Sequence, residues 1–119
     1  MEKINISEKF TLFEEHWSPK IVGRVNNFYV KLVKFQGEFI WHKHELEDEM
    51  FLVVKGRMTI RFRDRDIQLE PGEFLIVPHG VEDMPAAPGE VHCLVFEPAE
   101  TVNTGNVEND RTRKDLEWI

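Results

Sequence analysis

The sequence predicts an all-β domain, a sandwich or closed barrel, with a short N-terminal helix and an irregular C-terminal tail. Three observations carry that reading. From Lys20 to Pro98 the chain breaks into eight or nine short apolar runs, each bounded by Gly, Pro or an Asn pair, which is the texture of short strands joined by turns. Before that stretch, residues 7–17 carry helical spacing instead. At 119 residues the chain has room for one domain, 1–119, with a barrel core at about 20–98 and a tail at 99–119.

The elements follow in order. In SEKFTLFEEHW, residues 7–17, Phe10, Phe13 and Trp17 share one helical face, Ser7 is a candidate N-cap, and Pro19 stops the helix. KIVGRV is a strand, and Asn26-Asn27 after it tolerates the positive φ of a tight turn. FYVKLVKFQ runs to Gly37, EFIWHKH leads into the acidic loop ELED, and EMFLVVK ends at Gly56. RMTIRFR, DIQLE and EFLIV follow, broken at Asp64, at Pro71-Gly72 and at Pro78. VEDMPAA and VHCLVFE complete the set, separated by Pro88-Gly89. Closing so many apolar strands into a barrel removes edges that would otherwise be exposed. Phe35, Phe39, Phe51, Phe62, Phe74 and Phe96 supply the bulk for walls and core. After Pro98 the chain turns polar and ends on Leu116, Trp118 and Ile119, an apolar group that must dock on the domain or on a partner subunit.

Composition narrows the function classes. The formal net charge is −7, and the one basic cluster, RMTIRFRDR, alternates Arg57, Arg61, Arg63 and Arg65 as a solvent-facing strand does. Nucleic acid is therefore not an expected partner. No run approaches the ~18 apolar residues of a membrane helix, and the first 20 residues lack the apolar stretch and cleavage site of a signal peptide. The single cysteine, Cys93, excludes an intrachain disulfide. These features lead us to expect a soluble cytoplasmic protein.

The chemistry sits in WHKHELEDEMFLVVKG. On a strand, His42 and His44 at i and i+2 face the same way, roughly 6.5–7 Å apart. With ELED as a four-residue hairpin loop, residue 44 pairs with residue 49, which sets Glu49 beside both imidazoles. Two imidazoles and one carboxylate on one inner wall form the facial ligand set that leaves positions open for water or substrate. Glu45, Glu47 and Asp48 read as a solvated loop tip, and His79 as an exposed turn residue. His16 reads as structural or solvent-facing, and His92 faces either the cavity or the outer wall. Cys93 reads as a small buried hydrophobe.

The segment Gly37–Gly56 resembles the first cupin motif, a glycine, His-x-His, four residues, a glutamate, six residues and a glycine. His42, His44, Glu49 and Gly56 match it, while the interval from Gly37 to His42 is one residue shorter than usual. Residues 72–83, GEFLIVPHGVED, resemble the second motif at Gly72, Pro78 and Gly80, but Asp83 stands where that motif ends in histidine. The whole chain, with its VNTGN tail segment, is similar to small single-domain cupins of the mannose-6-phosphate-isomerase-like kind. The resemblance implies a double-stranded β-helix, or jelly roll, and a divalent metal (Mn, Fe, Zn or Ni) on His42, His44 and Glu49. Asp83 is then a further ligand, a water-mediated neighbour and general base, or an outward-facing surface residue.

Two functions follow as expectations. The first is a metal-dependent enzyme acting on a small oxygen-bearing organic molecule, of isomerase, dioxygenase or cyclase type, with Asp83 as its catalytic base. The alternative is a cupin module that binds a small ligand without turnover. No phosphate-binding cluster accompanies the motifs, so a sugar phosphate is not expected as substrate. The apolar C-terminus, the pairing of barrels common in the family, and the prevalence of two-fold contacts lead us to expect a homodimer.

Overall fold

The computed structural model describes residues 1–119. The chain forms one short helix and seven strands: α1 Ile6–Phe10, β1 Lys20–Val25, β2 Phe28–Glu38, β3 Glu49–Lys55, β4 Met58–Phe62, β5 Asp66–Leu69, β6 Phe74–Val77 and β7 Asp83–Pro98. All pairings between strands are antiparallel. They run β1-β2-β7-β3-β6, with β4 joining β5 and β7, and wrap into a jelly-roll barrel. No helix is long and apolar enough to cross a membrane.

β7 organises the barrel. The two runs expected on either side of Pro88-Gly89 are one 16-residue strand. Its first half pairs with β4 and the end of β2, its second with both β2 and β3. The breaker residues are absorbed rather than obeyed. Between the pairs Phe35↔Val91 and Gly37↔Ala87, residues 88–90 bulge opposite Gln36 alone, which spares Pro88 from supplying a ladder N–H. Pro85 stays in the ladder because its carbonyl accepts from the Phe39 N–H at 3.0 Å.

Alternation places the core. Val91, Cys93 and Val95 of β7, Phe51 and Val53 of β3, and Val33 and Phe35 of β2 all point inward and are buried. On the outer face Leu32 joins Phe10, Phe13 and Val22 in a second small cluster. Phe74 is 58% exposed on β6, and Phe96 takes the outer face of β7, stacked on Phe28 at 5.1 Å. Those two rings therefore contribute to neither cavity nor central core, contrary to the sequence reading.

The helix is also shorter than its periodicity predicts. It is capped by Asn5, whose side chain accepts from the Glu8 N–H, and it ends at Phe10. Trp17 sits at φ +58°, outside any helix. Packing explains this: Trp17 stacks on Phe35 and Phe39 at 4.6 and 4.7 Å, a position on the barrel mouth that a helix through residue 17 would not reach. The tail docks on its own domain. Ile21 donates to the Glu117 carbonyl and accepts from the Ile119 N–H, which extends the β1 edge.

Candidate metal centre

His42 and His44 reach one face, though not by the predicted hairpin. Both edges of β3 are already occupied, by β6 and β7, so the His-x-His segment cannot pair with it. It lies instead beside the start of β7, where His42 and Asp83 exchange both backbone hydrogen bonds at 3.0 and 2.9 Å. The His44 carbonyl accepts from Gly80 N–H at 2.7 Å. That bond fixes the Pro78–Gly80 turn, with Gly80 at φ +78°, against the His-x-His segment.

The donors of His42, His44 and Glu49 lie within 4.8 Å of one another, and all three side chains are buried. The imidazoles stand nearly perpendicular, with centroids 5.0 Å apart. His44 Nε2 is 3.3 Å from Glu49 Oε1. His42 Nδ1 lies 3.0 Å from the Ile40 carbonyl. A carbonyl only accepts, so Nδ1 carries the proton and Nε2 keeps its lone pair.

The cluster fits a cation by its unmet hydrogen bonds. Both ring nitrogens of His44, Glu49 Oε1 and Asp83 Oδ1 are buried without a protein partner. Buried polar atoms rarely stay unpaired, because desolvation costs about 1–3 kcal/mol each. Burial holds His42 down at about 4, so its imidazole is neutral at pH 7 and free to donate. Burial pushes the Glu49 carboxyl up to about 7. Burial likewise pushes Asp83 up to about 7, against the pull of His44.

Asp83 turns inward and is 1% exposed. Its Oδ1 sits 3.9 Å from His42 Nδ1, on the flank of the ring away from Nε2. It stands beside the three-donor cluster rather than within it. His79 is an exposed turn residue bonded to Asp48. His92 takes the outer wall, stacked on Phe10 at 4.6 Å. His16 bonds Glu90 at 2.8 Å. Cys93 is fully buried, and burial pushes its thiol up.

Sequence reasoning missed Glu97 and Lys31. Both face the barrel interior and are almost wholly buried, with Lys31 Nζ 2.7 Å from Glu97 Oε1. Burial, and next the Glu49 charge, hold the Glu97 carboxyl well above its ordinary range. The signal was present: Val91, Cys93 and Val95 at period two lead straight to Glu97 on the same face.

Glu97, Glu49 and His42 line a cavity of about 50 Å³ together with Trp17, Phe35 and Phe39, room for a few waters or the chelating end of a small ligand. Asn103 from the tail also lines it. Arg111 lies over Trp17 and Phe39 at 5.5 and 5.7 Å and donates to the Glu38 carbonyl at 2.8 Å. An aromatic wall, a polar floor and a guanidinium at the rim suit a small polar organic molecule.

Known proteins agree with this architecture. A cupin-2 domain-containing protein from Shewanella frigidimarina has a similar structure, with a TM-score of 0.79 and 45% identity over 80% of this chain and 93% of that one. A protein from Neisseria meningitidis superposes with a TM-score of 0.75 at 30% identity, covering 82% of this chain and 99% of its own. The uncharacterized protein YdbB of Bacillus subtilis is 37% identical over 60 residues, half of this chain and 53% of that relative's length. The cupin domain model matches residues 29–97, more than half of the sequence and most of the barrel, so the chain belongs to the cupin domain family.

Proposed function

We propose that this cupin binds a divalent metal ion through His42, His44 and Glu49 and acts as an enzyme on a small organic molecule bearing oxygen donors. The observation that carries the proposal is the convergence of three buried donor residues, with His44 and Glu49 Oε1 lacking protein partners, beside a cavity lined by one further carboxyl, Glu97. A divalent ion held there supplies Lewis-acid polarisation of a ligand oxygen. The protein's own groups do the rest. The Ile40 carbonyl fixes the His42 tautomer. Trp17, Phe35 and Phe39 give the cavity an apolar wall. Asp83 is the proposed base, buried beside His42 and poised near neutrality. The unpaired Cys93 fits a reducing, cytoplasmic setting.

The test combines metal and pH. A carboxyl raised in the folded state contributes stability below its unfolded value and loses it as pH rises through the folded one. For Glu49 and Asp83 that window runs from about 4 to about 7. His42, lowered to about 4, acts in the opposite sense: its contribution is present above 6.5 and is lost as pH falls toward 4. Two carboxyls outweigh one imidazole, so the site of the metal-free protein destabilises the fold more at pH 8 than at pH 5.5. A cation neutralises those carboxylates. Mn(II) should therefore raise the melting temperature more at pH 8 than at pH 5.5, and its binding at pH 6 should release protons. A pH-independent metal effect, or none, would count against this site.

Position 83 provides a sharper comparison. A histidine on the same inward backbone reaches farther than aspartate and adds a third imidazole. Asp83→His should bind Zn(II) or Ni(II) at least ~10-fold more tightly, about 1.4 kcal/mol. Unchanged affinity for every divalent ion tested would remove position 83 from the site.

We also propose a homodimer. The terminal backbone docks on β1, while the Trp118 side chain stays 54% exposed. Phe74 and Ile76 are both more than half exposed on β6, an edge strand paired only with β3. Two-fold pairing there would cover both side chains and the edge. Sedimentation at micromolar concentration should give twice the 14.1 kDa chain mass; a monomer would overturn the proposal.

A further inference from the structure

The polar segment after β7 contains no helix or strand, yet it is folded on itself. Thr104 and Thr112 hydroxyls meet at 2.7 Å, Asn103 Nδ2 donates to the Arg111 carbonyl at 3.0 Å, and the Arg113 N–H donates to Asn103 Oδ1 at 2.8 Å. Thr101 and Thr104 are buried. This segment lies beyond the residues shared with the cupin domain model.

Two of its residues grip the ligand loop. Asn106 Oδ1 accepts from the Lys43 N–H at 2.9 Å, and the Asn106 N–H donates to the Lys43 carbonyl at 3.0 Å. Both backbone groups of the residue between His42 and His44 are thus satisfied by one residue, as a neighbouring strand would satisfy them. Gly105 stands beside this clamp at φ +56°. A Cβ there would lie 2.2 Å from the Lys43 carbonyl oxygen and 3.2 Å from His42 Cδ2. Cδ2 is bonded to Nε2, the nitrogen left free to coordinate. The tail backbone therefore packs against the coordinating edge of His42, and only glycine leaves room for it.

We propose that Asn106, with Gly105 beside it, is a positioning residue that clamps Lys43 so that His42 and His44 converge on one ion, and that docking of segment 101–113 and metal binding reinforce each other. The proposal rests on the metal-binding reading of the site. The other anchors of the loop, Asp83 on His42 and Gly80 on His44, hold its two ends; Asn106 alone fixes the peptide groups between them. Coupling of this kind is reciprocal: whatever the docked tail adds to metal affinity, the metal returns as protection of the tail.

The experiment uses the full-length chain and Mn(II) alone as probe. In the wild type, Mn(II) should slow amide hydrogen exchange across residues 102–113. Asn106→Ala should weaken Mn(II) binding by about tenfold, the lower end for residues that orient metal ligands, and should abolish that protection. Asn106→Asp retains the acceptor for Lys43 N–H and should restore most of the affinity. Gly105→Ala should weaken binding as well, by pushing the tail off the loop. If the wild type binds no Mn(II), the metal site and the clamp fail together. If it binds, but Asn106→Ala matches wild-type affinity or the tail's exchange ignores the metal, the clamp alone is overturned. Should Asn106→Ala not fold, the wild-type exchange comparison decides.

Discussion

Replacing His44 with alanine is expected to abolish stoichiometric binding of divalent metal while leaving the barrel folded. Removing one of three ligands should cost more than the ~100-fold upper range for residues that merely orient a ligand. The fold should survive for a specific reason. Neither ring nitrogen of His44 bonds to the protein, so the substitution leaves no donor or acceptor stranded. The backbone anchor, the His44 carbonyl to Gly80 N–H bond, does not involve the side chain. The lost imidazole lies outside the main apolar cluster. Calorimetric titration with Mn(II) and Zn(II), beside a melting curve of the metal-free variant, checks both halves. Wild-type metal affinity in the variant would show that the ligand assignment is wrong; an unfolded variant would show that the ring carries structure this geometry does not give it.

The barrel and the clustering of His42, His44 and Glu49 were legible because each rests on a local rule. Strand runs bounded by Gly56, Pro71-Gly72 and Pro78 survive as β3 to β6, since turn chemistry and period two act within a few residues. The His42–His44–Glu49 spacing pointed to a shared site even though the route proposed for it, a hairpin pairing 44 with 49, does not exist. That error is a matter of topology. Whether β3 has a free edge depends on β6 and β7, the second paired with it across 37 to 46 residues of chain, and nothing in the local sequence reports it. The same limit hid three further features. The merging of two strands into β7 across Pro88-Gly89 depends on β2 opposite the bulge. The roles of Gly105 and Asn106 depend on a tail that looks irregular until its partner, Lys43, is seen. The short helix reflects tertiary packing overriding periodicity, because Trp17 stacks at the cavity mouth.

The largest stability effect should come from Lys31→Met. Lys31 is 1% exposed, and its Nζ has Glu97 Oε1 at 2.7 Å and the Thr101 carbonyl at 3.5 Å. Without it, the Glu97 carboxyl remains buried against Glu49 with no cation to offset either. Breaking one side of a buried ion pair costs about 3–5 kcal/mol. Here the cost is pH-dependent, because Glu97 can escape it by taking a proton. Its folded value is already raised, and losing Lys31 raises it further, so the penalty is small below that raised value and grows as pH rises through it. Lys31→Met should thus lose about 3 kcal/mol at pH 8 and distinctly less at pH 5. Adding Glu97→Leu removes the stranded carboxyl, so Lys31→Met/Glu97→Leu should regain most of the loss, as apolar replacement of a buried pair commonly does. Urea denaturation of the two single variants and the double, at both pH values, measures the coupling. A double variant no more stable than Lys31→Met alone would mean that Lys31 contributes through packing of its methylene stem, not through Glu97.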